Sequence, residues 1–351
     1  MISVSLTTPM LNSILVIEQC KTTFQGDRVP PRLSSRMRKN SKKKSSHAST
    51  KIEGNPLTEE QAEQALEDVH RHFLKPEEEV RNYYAALQIM EERLGQETPL
   101  SLELLLEVQR TVVAGSSAEK IGLRGPMPPG VLFPVYDSVT GAPDYIPPEA
   151  SEVPALLDEL FAYVEGSDDH PLVKAGVIHY QIATIHPFED GNGRTARLMS
   201  GYYLDLCGYG FGGMGSLEYF AYDVDEYYSS LQMGLPALYY SGRERPPHPE
   251  IWMEYFLRMV QLYTQKTTEL VNEAASSQLN ASLSHLSPKE RAFYEHLLDE
   301  GVEEFAPIDA ARAFGVTNRT VINWSAALAE VGLLEPQLVK QRIRSYRVLR
   351  P

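Results

Sequence analysis

Between residues 57 and 280, apolar side chains recur at helical spacing, and a single stretch breaks the pattern. Leu102, Leu105, Val108 and Val112 lie three or four positions apart, and IWMEYFLRMVQLYTQKTTELVNEA is long and amphipathic. Segments of this kind bury one stripe each against their neighbours, so the body is predicted to be mainly α. Thr58 and Gln61 have capping-box spacing, which predicts a helix over residues 57–73. Pro76 opens another, to about residue 94. Further helices are expected from about residue 151, over 172–185, over 193–206 and around DVDEYYSSLQ. The interruption, GLRGPMPPGVLFPVYDSVTGAPDYIPPEA, is dense in Pro and Gly. Its β-like runs, 131–136 and 144–147, flank a Thr140-Gly141 turn, which predicts an inserted hairpin.

The two ends differ from this body. Residues 1–46 show no sustained periodicity and are rich in Ser, Lys and Arg, so they read as a basic, disordered leader. Residues 1–51 hold ten Lys/Arg against two Asp/Glu, although the whole chain carries a net charge of −14. The acidic remainder argues against general nucleic-acid binding through the main domain. The run Arg36, Arg38, Lys39, Lys42, Lys43, Lys44 has two readings, an arm for nucleic acid or a membrane surface and a solvated leader; composition favours the second. The start lacks a basic n-region and a small-residue cleavage site, and no apolar run approaches eighteen residues. Two cysteines, Cys20 and Cys207, without metal-like spacing exclude a disulfide framework. Together these features lead us to expect a cytoplasmic protein that does not enter a membrane. At the other end, SQLNASLSH reads as a linker. Beyond it, residues 287–351 begin with a Ser287-Pro288 helix start, continue as helix, glycine-containing turn and helix, and end in the alternating run LVKQRIRSYRVL. That order resembles a winged helix-turn-helix domain.

The chemistry concentrates in His186 to Arg197, HPFEDGNGRTAR. Asp-Gly-Asn-Gly ends a helix, and glycines let a ligand approach the backbone closely. RTARLMSGYYLDL then resumes the helical pattern, so the loop presents free helix amides and the positive end of a helix dipole to one spot. Arg194 and Arg197 are three apart, share a helix face and suit two phosphate oxygens. Asp190 is a hard oxygen ligand fit for Mg²⁺ when phosphates supply the other ligands. His186 has the chemistry of a general base. Zinc is disfavoured because no third ligand has suitable spacing. His179 is read as a core histidine. Tyr227 and Tyr228 are open between an adenine contact and helix packing.

The string matches the Fic family motif H-x-F-x-[DE]-G-N-G-R-x-x-R at every defined position: His186, Phe188, Asp190, Gly191, Asn192, Gly193, Arg194 and Arg197. Residues 95–240 therefore resemble a Fic core, within a domain spanning 47–280. The hairpin is similar to the family's flap, with Val135, Tyr136, Tyr145 and Ile146 as target-docking residues. Upstream, Ser49 to Gly54, STKIEG, resembles the inhibitory motif [ST]-x-x-x-E-[GN] and marks Ser49 and Glu53 as inhibitory residues. The resemblance implies transfer of AMP from ATP to a Ser, Thr or Tyr hydroxyl of a protein, the chain itself among the candidate targets. In that scheme His186 is the base and Asp190 holds Mg²⁺. Gly191, Asn192 and Gly193 cradle phosphate oxygens, while Arg194 and Arg197 orient the phosphates. Glu53 pairs with Arg197 and withholds it. A homodimer is a family expectation. Gly193 stands where kinase-like members carry lysine, which favours AMP transfer.

Two alternatives stand beside this reading. One is removal of AMP by the same site. The other is a DNA-binding regulator, with Asn318, Arg319 and Thr320 opening a recognition helix and Lys340, Arg342, Arg344 and Arg347 on a wing. Glu303, Glu304 and Asp309 offset that charge, so protein contact and DNA contact stay open for this domain.

Overall fold

A computed structural model describes the chain except residues 25–28, 30, 69–71, 137–142, 212–216, 237–242, 244, 340, 341, 350 and 351. Two compact units divide it, Met1–Thr268 and Glu269–Pro351. In chain order the first contains α1 (Thr8–Phe24), α2 (Pro31–Ile52), α3 (Glu59–Glu67), α4 (Lys75–Gly95) and α5 (Leu102–Val112). A 3₁₀ turn (Ala118–Lys120) and the two-stranded ribbon of β1 (Val135–Tyr136) and β2 (Pro143–Tyr145) follow. Then come α6 (Val153–Gly166), α7 (Pro171–Ile185), α8 (Asn192–Leu206), α9 (Val224–Gln232) and the first part of α10 (Pro249–Ser284).

The unit is organised around α7. Thirteen of its fifteen residues are buried, as expected for a helix apolar on all sides. On one side Ile178, Ile182 and Ile185 pack with Tyr83 and Leu87 of α4, Leu105 and Val108 of α5, and Met199 of α8. On the other, Val173, Val177 and Tyr180 pack with Phe220, Tyr227, Trp252 and Phe256. Gly176 permits the close approach of α10, because a Cβ there would stand 2.8 Å from Met253 Sδ. In this way α7 brings its C-terminal end, His186, rigidly to the site.

The ends of the chain depart from the sequence reading. Residues 8–24 and 31–52 are helical, so a disordered leader over 1–46 is overturned. Met10, Ile14 and Ile17, at spacings of four and three, are fully or almost fully buried in the same cluster as Trp252 and Tyr209. Apart from Ile2 and Ile52, the other buried members of that cluster begin at Leu172, more than 150 residues away, and the dense charge that follows hides this short apolar stripe. SQLNASLSH, read as a linker, instead continues α10, whose helix runs to Ser284; the stretch holds no Pro or Gly to end one. The helix expected over 57–73 is shorter, Glu59–Glu67, with the Thr58–Gln61 capping box in place. The hairpin ladder is short as well, pairing Val135 with Tyr145 and Tyr136 with Pro143. Ile146 lies just beyond it, and the Thr140-Gly141 turn is outside the described residues.

In the second unit, α11 (Pro288–Asp299) begins with a Ser287–Glu290 capping box. After it come β3 (Glu304–Phe305), α12 (Pro307–Phe314), α13 (Asn318–Glu330), β4 (Leu334–Val339) and β5 (Arg342–Val348). The antiparallel sheet has the order β3-β5-β4. Phe293, Phe305, Val321, Leu328 and Tyr346 form its core. Gly315 ends α12 in the left-handed region, and Thr317 caps α13. Arg319, Arg342 and Arg344 are exposed, Arg347 lies 3.4 Å from Glu335, and Lys340 is outside the described residues. Among the described residues no helix is long and apolar enough to cross a membrane.

Candidate active site

The loop between α7 and α8 is shaped by its own backbone. His186 ends α7 with φ 50°, left-handed and unusual for a residue with a side chain. Arg124 holds this turn: its Nε donates to the His186 carbonyl at 2.8 Å, and its amide donates to Pro187 O at 2.9 Å. Phe188 is fully buried and pins the loop to the core. Asn192 opens α8 and anchors the loop through its side chain. Its side chain accepts from the Phe188 amide and donates to the Phe188 carbonyl, both at 2.9 Å, so the amide group shapes the loop. Gly191, at φ 86°, turns the chain into α8 beside Val113. The next three amides start α8, where a helix offers no carbonyl partner.

His186 is oriented by two oxygens. Its Nδ1 lies 3.2 Å from the Ala183 carbonyl and 2.9 Å from the Tyr145 hydroxyl, which itself donates to Ala183 O at 2.6 Å. A carbonyl can only accept, so Nδ1 carries the proton and Nε2 keeps the lone pair. Burial pushes the ring's pKa down to about 4, against the opposing pull of the Ala183 hydrogen bond. The imidazole is therefore neutral and able to accept a proton at pH 7. Tyr145, read from the sequence as a docking residue, thus also hydrogen-bonds the His186 ring.

The two arginines have separate partners. Arg194 Nη2 donates to Asp190 Oδ1 at 2.6 Å, one turn away. Its Nε is buried with no partner among the described residues. Arg197 is fully buried. Its Nη2 donates to Glu53 Oε1 at 2.6 Å and to the Ser49 carbonyl at 2.9 Å, and its Nε donates to Ser49 Oγ at 2.8 Å. Gly193 makes room for this: a Cβ there would stand 2.4 Å from Glu53 Oε1. Glu53, Tyr136, His186, Gly193, Arg197 and Tyr228 line one cleft, whereas Asp190 and Arg194 line a second one together with Lys120. Val135 and Tyr145 border the first cleft. Tyr227 is 1% exposed, its hydroxyl lying between Arg197 Nη1 (3.3 Å) and His179 Nε2 (2.9 Å), which selects packing over an adenine contact. Tyr228 reaches the cleft and donates to Ile52 O at 3.4 Å. His179 is a fully buried ring in an aromatic nest, as expected, and burial holds its pKa well below the usual value.

Asp190 carries the question of a metal. Lys120 Nζ stands 2.8 Å from Oδ2 and Arg194 Nη2 2.6 Å from Oδ1, so each carboxylate oxygen faces a cation of the chain. Burial opposes ionisation, but the Lys120 hydrogen bond and the Arg194 and Lys120 charges outweigh it and hold the carboxyl below its ordinary range. Among the described residues no three His, Cys, Asp or Glu side chains group as a cage. One ionised carboxylate beside the orphan Arg194 donor and free helix amides still fits Mg²⁺ carried in by phosphates, which needs few protein ligands.

The Fic/DOC family pattern matches residues 99–204, from α5 through the loop into α8. The chain carries a Fic/DOC family domain over residues 99–204. Protein adenylyltransferase Fic of Drosophila grimshawi is 30% identical over 165 residues, 45% of this chain and 32% of that protein. The Drosophila virilis protein of the same name is 29% identical over 164 residues, with the same coverage. The chain thus spans about a third of the length of these curated relatives. Among solved structures, a Fic family protein from Desulfovibrio desulfuricans G20 aligns with 99% of this chain and 98% of its own, at 20% identity and TM-score 0.56. A Fic domain containing signaling protein from Bacteroides thetaiotaomicron VPI-5482 covers 76% of this chain and 97% of its own, at 22% identity and TM-score 0.60. These two show the fold alone. Ser49 and Glu53 lie outside the stretch matched to the Fic domain, and their place beside it comes from α2.

Sequence reasoning missed Arg124, Gln109 and Lys120. Gln109 is fully buried and donates to Lys120 O at 2.7 Å and Asp190 O at 3.2 Å, tying the 3₁₀ turn to the loop. Lys120 precedes the Pro/Gly-dense stretch and Arg124 lies near its start, and the local pattern gives no sign of what they reach.

Proposed function

We propose that this Fic domain transfers AMP from ATP to a Ser, Thr or Tyr hydroxyl of a protein, the chain itself included, and that Glu53 restrains it. The observation that carries the proposal is the pairing of Glu53 with buried Arg197 in the cleft of a neutral His186. His186 Nε2 takes the proton of the target hydroxyl as its oxygen bonds to the α-phosphorus. The bond from that phosphorus to the β-phosphate bridging oxygen breaks, and pyrophosphate leaves. The first amides of α8 and Arg194 stabilise the phosphate oxygens as charge shifts. Asp190 would hold Mg²⁺, which offsets charge on the phosphates when bound. Tyr136 and Val135 on the exposed ribbon can align an extended target segment by backbone pairing. Arg197 serves the terminal phosphates only when Glu53 releases it, so the pair keeps ATP from its productive pose.

The test incubates Glu53→Gly and the unchanged protein with α-³²P ATP and a cell lysate. Labelling that rises in the variant, with a mass gain of AMP on the modified protein, supports the proposal. Equal labelling of both proteins removes the restraint. Loss of AMP from premodified proteins, without transfer, would assign the site to the reverse reaction.

A further inference from the structure

The ion pairs around Asp190 set a requirement on metal entry. Resting on the reading that Asp190 holds Mg²⁺, we propose that Lys120 is a built-in counter-ion that exchanges with the metal and so ties metal capture to phosphate arrival.

Three observations point to this exchange. Both Asp190 oxygens already face cations, Lys120 at 2.8 Å and Arg194 at 2.6 Å, so a divalent ion meets two positive charges at the carboxylate and binds more tightly where one of them gives way. The two cations differ in freedom. The Arg194 side chain is 9% exposed and grips its own helix start, whereas Lys120 is 40% exposed at the end of a three-residue 3₁₀ turn. Lys120 is therefore the one that leaves. Its backbone need not move, because Gln109 holds the Lys120 carbonyl and only the flexible stem swings. Space for the swing exists: a second cleft, lined by Glu78, Asn82, Ser116, Ser117 and Lys120, opens on the Asp190 and Arg194 side of the loop.

The charge balance gives the consequence. With neither metal nor nucleotide bound, Lys120 neutralises Asp190 and keeps a lone carboxylate from repelling incoming phosphates. When Mg²⁺ arrives with a nucleotide, the ammonium is released beside the phosphate site and adds positive charge there. The side chain thus lowers the affinity of Asp190 for free metal and favours the metal–nucleotide complex only after exchange. Lys120 is on this account a positioning residue, acting through Asp190.

The test measures, by calorimetry on the full chain, the affinity for ADP with and without Mg²⁺, and takes the ratio as the metal dependence. Lys120→Met keeps the stem and removes the charge. It should weaken metal-free ADP binding and raise the metal dependence about threefold to tenfold, the size of a partly exposed ion pair. Lys120→Arg should restore the original ratio. An unchanged or reduced ratio in Lys120→Met overturns the proposal. Asp190→Asn separates this failure from that of the underlying reading. If its metal dependence stays at the original level, Asp190 does not hold the metal and both fall. If it loses the dependence while Lys120→Met keeps it, the counter-ion role alone falls.

Discussion

Helices α7 and α2 both reach the loop before α8, yet they are built in opposite ways. The buried surface of α7 is largely apolar, and its packing partners surround it on two sides. The surface that α2 buries consists of Lys42, Ser45, Ser46, Ala48, Ser49, Thr50 and Ile52. The Ser41 and Ser45 hydroxyls there are buried without partners among the described residues. What holds α2 is polar as well as ionic: Arg38 and Lys42 on Glu91, Lys43 on Glu63 and Glu67, and buried Arg197 on Ser49, with Ile52 its one contribution to the apolar core cluster among the described residues. Burying apolar area is worth far more than such partly exposed pairs. The helix that ends at His186 is thus part of the apolar core, and the helix that leads to Glu53 is held to the core mainly by polar and ionic contacts.

Four substitutions and one titration sharpen or break this contrast. His186→Ala should cut labelling about 100- to 10,000-fold, the range for a lost general base, in a radiolabel time course; retained labelling would remove the assignment. The pH profile of the same reaction belongs with it. With the His186 pKa near 4, the rate should hold well below pH 6.5 and fall only towards 4, whereas an acid limb centred at 6.5 would mean a solvated ring. The sign for stability follows. Unfolded His186 takes up a proton near pH 6.5 and the folded one only near 4, so its contribution is whole above 6.5 and shrinks as the pH falls through that window.

Phe188→Ala, which empties a fully buried site at the end of the α7 hairpin, should cost about 3–5 kcal/mol in urea unfolding. A loss below about 1 kcal/mol would show the loop standing without that anchor. Glu53→Gly should raise labelling about tenfold to a hundredfold, the worth of one charge-assisted hydrogen bond. Glu91→Gln, which leaves the site untouched, should change stability by no more than about 1 kcal/mol. Its signature is local: amides of residues 31–52 should exchange faster in hydrogen-exchange mass spectrometry while those of α7 keep their protection. Equal loosening of both helices would erase the contrast.

The catalytic loop was legible because its constraints are local. Gly191 turns the chain, Asn192 clasps Phe188 four residues away, and Arg194 meets Asp190 at a single helical turn. Residue spacing carries such information directly. The short stripe Met10, Ile14, Ile17 was not read, because its meaning lies in the residues it meets and not in its own run. Arg124 and Lys120 were invisible for the same reason, since neither has a partner within a turn of itself.

The sequence by itself determined the chemistry of residues 186–197, the mainly helical body, the hairpin insertion and the candidate partner for Arg197. Each depends on residue type and short spacing, which the chain carries wherever it folds. Only the tertiary structure decided that the two motif arginines part company, that the Asn192 side chain serves the loop's shape, and that Tyr145 reaches His186 Nδ1. These outcomes turn on which donor meets which acceptor across as many as 148 residues. A buried hydrogen bond tolerates only a few tenths of an ångström, and no spacing along a sequence specifies that.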